Sequence, residues 1–342
     1  MIAKIPIITV VMPVYNCELY IRDAIESVLN QTFVDFEFII IDDCSTDSTL
    51  QLCNLFTDER IIIITKDKNS GYTNSLNYGL SIAKGKYIAR MDGDDICMPE
   101  RFEKQVLFLE ANPDIILCGT SYTVIGKKGM YELPETHEEI KIKLLSGNCI
   151  VHPSVMFRKD ILVTNNVIYD VLMEPAEDYD LWVRLSSMGK LHNLQECLVH
   201  YRVHEGQVSA IRNKKQIQVA NQVRLKLLQL LGVGISPYEN EVYLKAIKKK
   251  EQLNFEEFEI LVNLKIKLVD ANRNELFNSV GFIEYWTQVE SKFVGPLFKN
   301  KTSYNLTLFI QYVMIFSKLT YRLSFKEIIK LFLKSLINYK VK

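Results

Sequence analysis

YIARMDGDD, residues 87–95, is the stretch around which this chain is organised. An apolar run typical of a buried strand ends in three carboxylates within four residues, with one glycine among them. Neighbouring carboxylates repel one another unless a cation or a hydrogen-bonding ligand compensates their charge. Because residues two apart in an extended chain point the same way, Asp92 and Asp94 can face one target. The pattern predicts a site for Mg²⁺ or Mn²⁺, against the alternative of an acidic turn that only ends the strand.

The charge of the chain is unevenly distributed along its length. Lys and Arg balance Asp and Glu overall, but residues 1–210 carry 19 basic and 30 acidic side chains, a net −11, and residues 211–342 carry 22 and 11, a net +11. This asymmetry predicts two parts with different partners, residues 1–210 and 211–342. Apolar residues make up 48% of the 342, which is enough for a buried core and argues against disorder.

The seven cysteines include no Cys-x-x-Cys pair, so reduced thiols and a cytoplasmic location are expected. No signal peptide is expected, and no apolar run approaches the ~20 residues that cross a bilayer. The C-terminal part is nevertheless basic and amphipathic, which favours peripheral attachment to an anionic membrane surface, such as the inner face of the cytoplasmic membrane. The alternative, helices that pack on their own domain with a solvated basic face, stays open.

Short apolar runs alternate with helical patterns through the first part of the chain. The predicted strands are Ile7–Met12, Glu37–Ile41, Ile61–Thr65 and Tyr87–Met91, with a further strand at Val151–Phe157. A helix capped by Asn16 is expected after the first strand. This alternation predicts an α/β fold with a mainly parallel sheet and helices on both faces, followed by a helical C-terminal region. Ligands bind beyond the carboxyl ends of such strands, where Pro13–Tyr15, Asp42–Asp43 and the acidic turn should converge.

A second acidic cluster, residues 177–180, reads EDYD and begins an amphipathic helix. Acids are favoured in the first turn of a helix by its macrodipole, so this cluster taken alone fits a structural role better than a chemical one. His204 lies in a polar loop that follows a later predicted strand, Leu198–Tyr201. A lone histidine is usually structural, but its place after a strand makes it a candidate ligand.

Several short motifs occur in a fixed order along the first part. They are TVVMPVYN (9–16), SVLNQTF (27–33), IIIDDCSTD (39–47), NSG (69–71), AKGKYIA (83–89), MDGDD (91–95), MPERF (98–102), HPSVMFR (152–158), EDYDLW (177–182) and YRVH (201–204). In order and spacing this series resembles family 2 glycosyltransferases, which are inverting, metal-dependent, nucleotide-sugar enzymes of the GT-A fold. The resemblance covers roughly residues 5–210, so residues 1–210 are expected to form a GT-A catalytic domain.

The resemblance implies that the strand-end turns hold the donor. The residues that would contact the nucleotide-sugar are Pro13, Val14, Tyr15, Asp43, Asp92, Gly93 and Asp95. Asp43 would hydrogen-bond a uracil base. Asp94 would ligate Mn²⁺ or Mg²⁺, and His204 would complete the metal site.

The resemblance also implies the catalytic side of the site. Asp178 matches the general base that accepts the proton of the attacking hydroxyl group, and Glu177 beside it would contact the acceptor. A single displacement would invert the anomeric centre of the transferred sugar.

The expected function is therefore transfer of a hexosyl or N-acetylhexosaminyl group from a UDP-sugar to a glycan or lipid-linked glycan in surface polysaccharide biosynthesis. A sugar nucleotidyltransferase would share the sheet and the acids, but no Gly-rich basic phosphate loop follows the first strand. A non-catalytic glycan-binding relative is the other alternative. A processive synthase is disfavoured because no Gln-x-x-Arg-Trp motif is present. Nucleic acid is not an expected partner, because the basic tail matches no known module.

Overall fold

The structure, a computed structural model, describes residues 5–248 and 250–340. It divides into two compact units, the first ending at Val223 and the second beginning at Arg224. The boundary predicted from the charge distribution, after residue 210, lies within a short helix of the first unit, Val208–Ile211.

A mixed sheet of nine strands forms the centre of the first unit over its described residues. The strands are β1 (Ile8–Val14), β2 (Phe36–Asp42), β3 (Ile61–Thr65), β4 (Tyr87–Arg90), β5 (Ile96–Cys97), β6 (Ile115–Val124), β7 (Met130–Tyr131), β8 (Met156–Arg158) and β9 (Lys190–Tyr201). The helices are α1 (Ile21–Leu29), α2 (Thr49–Cys53), α3 (Tyr72–Ile82), α4 (Arg101–Ala111), α5 (His137–Leu144), α6 (Lys159–Thr164), α7 (Glu177–Leu185), α8 (Val208–Ile211) and α9 (Asn213–Gln229). The unit boundary falls within α9.

The strand order is β3-β2-β1-β4-β8-β6-β9-β5, with β7 paired to β6. The pairings among β3, β2, β1 and β4 are parallel, as the alternating sequence pattern predicts. Beyond β4 the sheet is mixed, since β8 is antiparallel to both of its neighbours while β6 and β9 are parallel. The mainly parallel arrangement is thus confined to the first four strands. Strand–helix–strand crossovers impose parallel pairing, and the regular series of them ends after α4.

The core of the first unit lies between this sheet and its helices. Every residue of β1 and β2 is buried, as expected for strands covered on both faces. On α1 the side chains that are fully buried are Ile21, Ala24, Ile25 and Val28, whose spacing places them on one helical face. Burial of each larger aliphatic side chain contributes roughly 1.5–3 kcal/mol, so α1 fixes the turn that joins it to β1. That turn forms one wall of the candidate site.

Two local predictions were wrong. Asn16 does not cap α1, which begins at Ile21 after Tyr20. Instead Asn16 adopts a left-handed backbone conformation with φ 49°, which asparagine tolerates, and its side chain pairs with Thr46. The predicted strand Val151–Phe157 is interrupted by a 3₁₀ turn at His152–Ser154, and only β8 remains extended. Pro153 favours such a turn, because it cannot donate to a strand ladder.

The second unit is helical, which confirms the prediction for the C-terminal region. Its helices are α10 (Pro237–Ala246), α11 (Phe255–Ala271), α12 (Ser279–Val294), α13 (Leu306–Phe316) and α14 (Phe325–Leu336), with a π-helix at Gly295–Lys299. Lys265 of α11 and Glu290 of α12 form a buried ion pair, with Nζ and Oε1 2.6 Å apart. The other oxygen of Glu290 accepts hydrogen bonds from the backbone N–H groups of Thr320 and Tyr321, which fixes the loop between α13 and α14.

The lengths and apolar content of the helices bear on whether any of them could cross a membrane. Over the part of the chain that the structure describes, no helix is both long enough and apolar enough to cross a bilayer.

Candidate active site

A cleft of about 600 Å³ opens where β1, β2 and β4 end. Its lining includes all but one of the residues that the sequence singled out, namely Pro13, Val14, Tyr15, Asp43, Asp92, Gly93, Asp94, Glu177, Asp178 and His204. The exception is Asp95, which is fully buried behind the lining. The turns after β1, β2 and β4 therefore converge on one cleft, as parallel topology predicts. The second acidic cluster, which is distant in sequence, lines the same cleft through Glu177 and Asp178.

The three acids after β4 form one cluster. Asp92, Asp94 and Asp95 each present an oxygen atom, and these atoms lie within 4.8 Å of one another. Nε2 of His204 lies 2.9 Å from Oδ2 of Asp94, so a residue 110 positions away joins the cluster. A methyl group at Gly93 would lie 3.0 Å from both Cys17 Sγ and Val14 Cγ1, so the crowded turn favours glycine.

The acidic cluster has the donor set of a divalent-cation site. Oδ1 of Asp95 accepts a hydrogen bond from the Arg202 backbone N–H, whereas its buried Oδ2 has no partner among the described residues. Burial raises the pKa of Asp95 well above its usual range, and the charges of Asp92 and Asp94 raise it further. Carboxylate oxygens and one imidazole, with excess negative charge, suit Mg²⁺ or Mn²⁺. The residues present thus fit the metal that the sequence predicts.

Arg90, the last residue of β4, is the site residue that the sequence reasoning most clearly missed. Its buried guanidinium group forms an ion pair with the carboxylate of Asp92. Burial raises the pKa of Asp92 to about 6, while the positive charge of Arg90 opposes the rise. The signal was available, because Arg90 is the one charged residue in the otherwise apolar run 87–91.

Asp43, at the end of β2, holds a neighbouring loop in place. Its Oδ1 accepts hydrogen bonds from the backbone N–H and the hydroxyl group of Ser70, and its Oδ2 accepts one from the backbone N–H of Gly71 at 2.8 Å. The motif NSG (69–71) therefore contributes to the cleft wall through Asp43. Nζ of Lys66 also lies 3.4 Å from Oδ1, so Oδ1 has three donors nearby. Among the described residues Oδ2 accepts only the Gly71 hydrogen bond and therefore keeps an acceptor position for a ligand donor.

The second acidic cluster lies at the start of α7. Oδ2 of Asp178 accepts a hydrogen bond of 2.7 Å from Nδ2 of Asn148, and Oδ1 accepts one from the Tyr179 backbone N–H. Burial raises the pKa of Asp178 above its usual range. Asp180, two residues on, points elsewhere and pairs with Arg184 at 2.8 Å. A structural role therefore fits Asp180, whereas Asp178 lines the cleft.

Glu177 is held by neutral partners. It is 3% exposed, and its Oε2 accepts a hydrogen bond of 2.7 Å from the hydroxyl group of Tyr72. Nδ1 of His152 lies 3.9 Å from Oε1, and burial lowers the pKa of that histidine well below its usual range, so the ring is neutral. Burial, followed by the charge of Asp178, raises the pKa of Glu177 to about 8. Glu177 thus carries a proton at neutral pH.

The chain that follows β9 returns to the cleft. Arg212 forms an ion pair with Glu174, and Gln216 at the start of α9 donates a hydrogen bond of 3.0 Å to the Pro175 carbonyl group. Arg212, Gln207 and Gln216 all line the cleft. No local motif marks these residues. Like Asn148 and Tyr72, they reach the site only through the tertiary fold.

The fold, the metal-type acidic cluster and the facing carboxylates define the class of GT-A glycosyltransferases. TarS 1–349 of S. aureus, solved in complex with UDP-GlcNAc, shares this fold with a TM-score of 0.57 at 18% identity, over 83% of this chain and 90% of that one. The family model described as glycosyl transferase family 2 matches residues 9–164.

Curated relatives agree with the family model. An uncharacterised glycosyltransferase of Haemophilus influenzae is 35% identical over 248 residues, which are 67% of this chain and 77% of that protein. The UDP-Glc:alpha-D-GlcNAc-diphosphoundecaprenol beta-1,3-glucosyltransferase WfaP of Escherichia coli is 31% identical over 216 residues, 63% of this chain and 84% of that protein. The chain belongs to glycosyltransferase family 2.

Proposed function

We propose that the chain is an inverting glycosyltransferase of surface polysaccharide biosynthesis. It transfers a hexosyl or N-acetylhexosaminyl group from a UDP-sugar to a hydroxyl group of a glycan or lipid-linked glycan. The observation that carries this proposal is that one cleft holds both a metal-type acidic cluster and a separate carboxylate, Asp178. A UDP-sugar donor is supported by the E. coli relative, which is named as a UDP-Glc-dependent glucosyltransferase, and by the S. aureus neighbour, which was solved with UDP-GlcNAc.

The acidic cluster is the proposed holder of a divalent cation. Asp94 and His204 would ligate Mn²⁺ or Mg²⁺, with Asp92 on the ribose side and the buried Asp95 supporting them. When bound, such a cation stabilises the negative charge that develops on the departing diphosphate. Arg90 keeps Asp92 ionised, because its positive charge opposes the effect of burial on the Asp92 carboxyl group.

The turn after β1 is the proposed nucleotide pocket. Pro13, Val14 and Tyr15 line it, and Tyr15 is 48% exposed, so its ring is available for a base to stack on. Asp43 would accept the imide N–H of uracil at Oδ2, which accepts one hydrogen bond, from Gly71. Gly93 allows the donor to approach the acidic turn closely.

Asp178 is the proposed general base. It accepts the proton of the acceptor hydroxyl group while that oxygen attacks the anomeric carbon from the side opposite the diphosphate, which inverts the configuration. Asn148 and the Tyr179 N–H bond to one carboxylate oxygen each and so hold its orientation. Glu177 contacts the acceptor as a neutral, protonated group through the small part of its carboxyl that faces the cleft.

A donor panel tests the proposal. The full chain is incubated with Mn²⁺ and a series of UDP-sugars and GDP-sugars, with release of the nucleoside diphosphate and the anomeric configuration of the product as readouts. We expect UDP release from at least one UDP-sugar and a product of inverted configuration. Retention of configuration, or turnover of GDP-sugars alone, would contradict the proposed mechanism or donor. Release of pyrophosphate from UTP and a sugar phosphate would instead identify a nucleotidyltransferase.

A further inference from the structure

The second unit presents an apolar surface that its own fold leaves exposed. On α13 the exposed apolar residues are Leu306, Ile310, Val313 and Met314, and on α14 they are Phe325, Ile329, Phe332, Leu333 and Leu336. The spacing is i, i+4, i+7 and i+8 in both helices, with a fifth residue at i+11 in α14, which places each set on one helical face. We refer to these nine residues as the hairpin surface. Phe325 is 80% exposed and Leu336 58%, so large side chains face solvent.

The two faces form one continuous surface. The rings of Phe309 and Phe332 touch, with centroids 5.0 Å apart, so the stripes of α13 and α14 border each other. The hairpin is closed at its ends by a hydrogen bond from the Tyr304 N–H to the Tyr339 carbonyl group. The opposite sides of the helices are fixed in the unit by buried residues, among them Tyr312 and Leu331. A protein of ordinary solubility rarely exposes so contiguous an apolar patch without a partner.

The charge around the hairpin surface is strongly positive. Residues 301–340 carry seven Lys or Arg and one acid, Glu327, a net +6. Glu327 is itself paired with Lys299, at 2.5 Å. Lys326 and Lys330 are exposed and follow the apolar stripe of α14 along one side, and neither forms an ion pair within the described part of the chain. α13 contains no charged residue.

We propose that the hairpin surface docks on an anionic lipid bilayer, with α13 and α14 lying in the plane of the interface. The apolar stripes would enter the boundary between headgroups and acyl chains, and the lysine row of α14 would pair with anionic headgroups. Neither helix is long enough to span the bilayer, so the interaction is peripheral. A second copy of the chain fits this surface less well. In a two-fold contact the lysines of each copy would face the same basic surface of the other copy, where the one acid, Glu327, is already paired with Lys299.

Vesicle co-sedimentation of the full chain tests the docking surface. The vesicles contain phosphatidylcholine with either no anionic lipid or about 30% phosphatidylglycerol. We expect wild type to bind the anionic vesicles and to be released by salt. The double variant Phe325→Asp, Leu333→Asp should lose binding by about tenfold or more, since it removes two inserted side chains and adds repulsion. The control Val280→Asp, Ile283→Asp changes two exposed apolar residues of α12 with the same charge change, and it should bind like wild type.

The lysine row has its own pair of variants. Lys326→Gln, Lys330→Gln should reduce binding to anionic vesicles by several-fold, whereas Lys127→Gln, Lys128→Gln, in the turn between β6 and β7, should leave binding unchanged. A direct probe comes from Phe325→Trp, whose fluorescence should shift to the blue on vesicle binding. Val280→Trp should show no such shift.

Three results would overturn the proposal. The first is failure of wild type to bind anionic vesicles, and the second is an equal loss of binding in the test and control variants. The third is a wild-type dimer in sedimentation analysis that the Phe325→Asp, Leu333→Asp variant loses without any vesicle binding, which would make the surface an interface between copies. The docking proposal does not rest on the proposed glycosyl transfer, because vesicle binding and donor turnover are separate measurements.

Discussion

The two acidic clusters of the cleft accommodate crowded carboxylates in opposite ways. Around Asp92, Asp94 and Asp95 the partners include the positively charged guanidinium group of Arg90 and the imidazole ring of His204, and one buried oxygen has no partner among the described residues. Around Glu177 and Asp178 the closest partners are neutral, an amide, a phenol and a backbone N–H group. The first cluster is therefore arranged to be completed by a cation. In the second, burial raises the pKa of both carboxyl groups, so each of them binds a proton more readily than an exposed carboxylate does.

Removal of the proposed base is expected to have the largest effect and tests whether the two clusters have different roles. Asp178→Asn keeps the hydrogen bond from Asn148 in reach but cannot accept a proton, so we expect transfer to fall by about 10³-fold. Donor affinity, measured by calorimetry with UDP and Mn²⁺, should stay within about twofold, because in the proposed mechanism the other cluster holds the donor.

Asp180→Asn is the matched control for that experiment. It makes the same change on the same helical turn, two residues away, at a carboxylate that pairs with Arg184 outside the cleft lining. We expect nearly normal turnover from this variant once its melting temperature shows that it is folded. Equal activity in Asp178→Asn and wild type would remove Asp178 from the mechanism.

The second prediction concerns the cation side. Asp94→Asn should reduce transfer by about 10²-fold, because it removes a proposed ligand of the cation that would stabilise the leaving group. Calorimetry with UDP should show that Mn²⁺ strengthens binding to wild type but barely affects this variant. Asp114→Asn, at an exposed ion pair with Lys190, serves as the control. An unchanged Mn²⁺ dependence in Asp94→Asn would show that the cation, if one binds, is held elsewhere.

The third prediction tests the charge balance within the first cluster. Arg90→Met removes the group that opposes the rise in the Asp92 pKa, so protonation of Asp92 should extend to higher pH. We expect the acidic limb of the pH–rate profile to move upward and turnover near pH 6 to fall by about tenfold. Arg90→Lys keeps the positive charge and should have a pH–rate profile close to that of wild type. This variant serves as the control that distinguishes loss of the charge from a folding defect.

The fourth prediction concerns stability rather than turnover and tests the proton held by Glu177. The pKa of Glu177 is raised to about 8 in the folded chain, above its unfolded value, so the native state keeps a proton that the unfolded state has lost. Stability due to this group should therefore fall as the pH rises from about 5 to 8 and then level off. Glu177→Gln should remove that slope, gaining about 1 kcal/mol per pH unit over wild type in this window. Parallel unfolding curves for the two proteins across the range would contradict it.

Much of the fold could be predicted because its signals are local. The strand Ile61–Thr65 was predicted with its observed bounds, and β1, β2 and β4 to within two residues, since each is a short apolar run next to a polar turn. Parallel topology then places the ends of β1, β2 and β4 together, which made most of the cleft predictable. The order of the strands beyond β4 was not, because pairing there depends on long-range packing rather than on periodicity.

The site shows the same division. Which carboxylates follow strands or begin a helix could be predicted from the sequence, because these features depend on the pattern of neighbouring residues. The partners of these carboxylates became known from the folded chain: Arg90 for Asp92, Tyr72 for Glu177, Asn148 for Asp178 and His204 for Asp94. Three of these four pairs join residues at least 30 positions apart, and such contacts arise from the summed packing of the whole unit. The positive charge of the C-terminal part could likewise be predicted from the sequence. The alignment of two apolar stripes on one hairpin, in contrast, depends on how α13 and α14 pack.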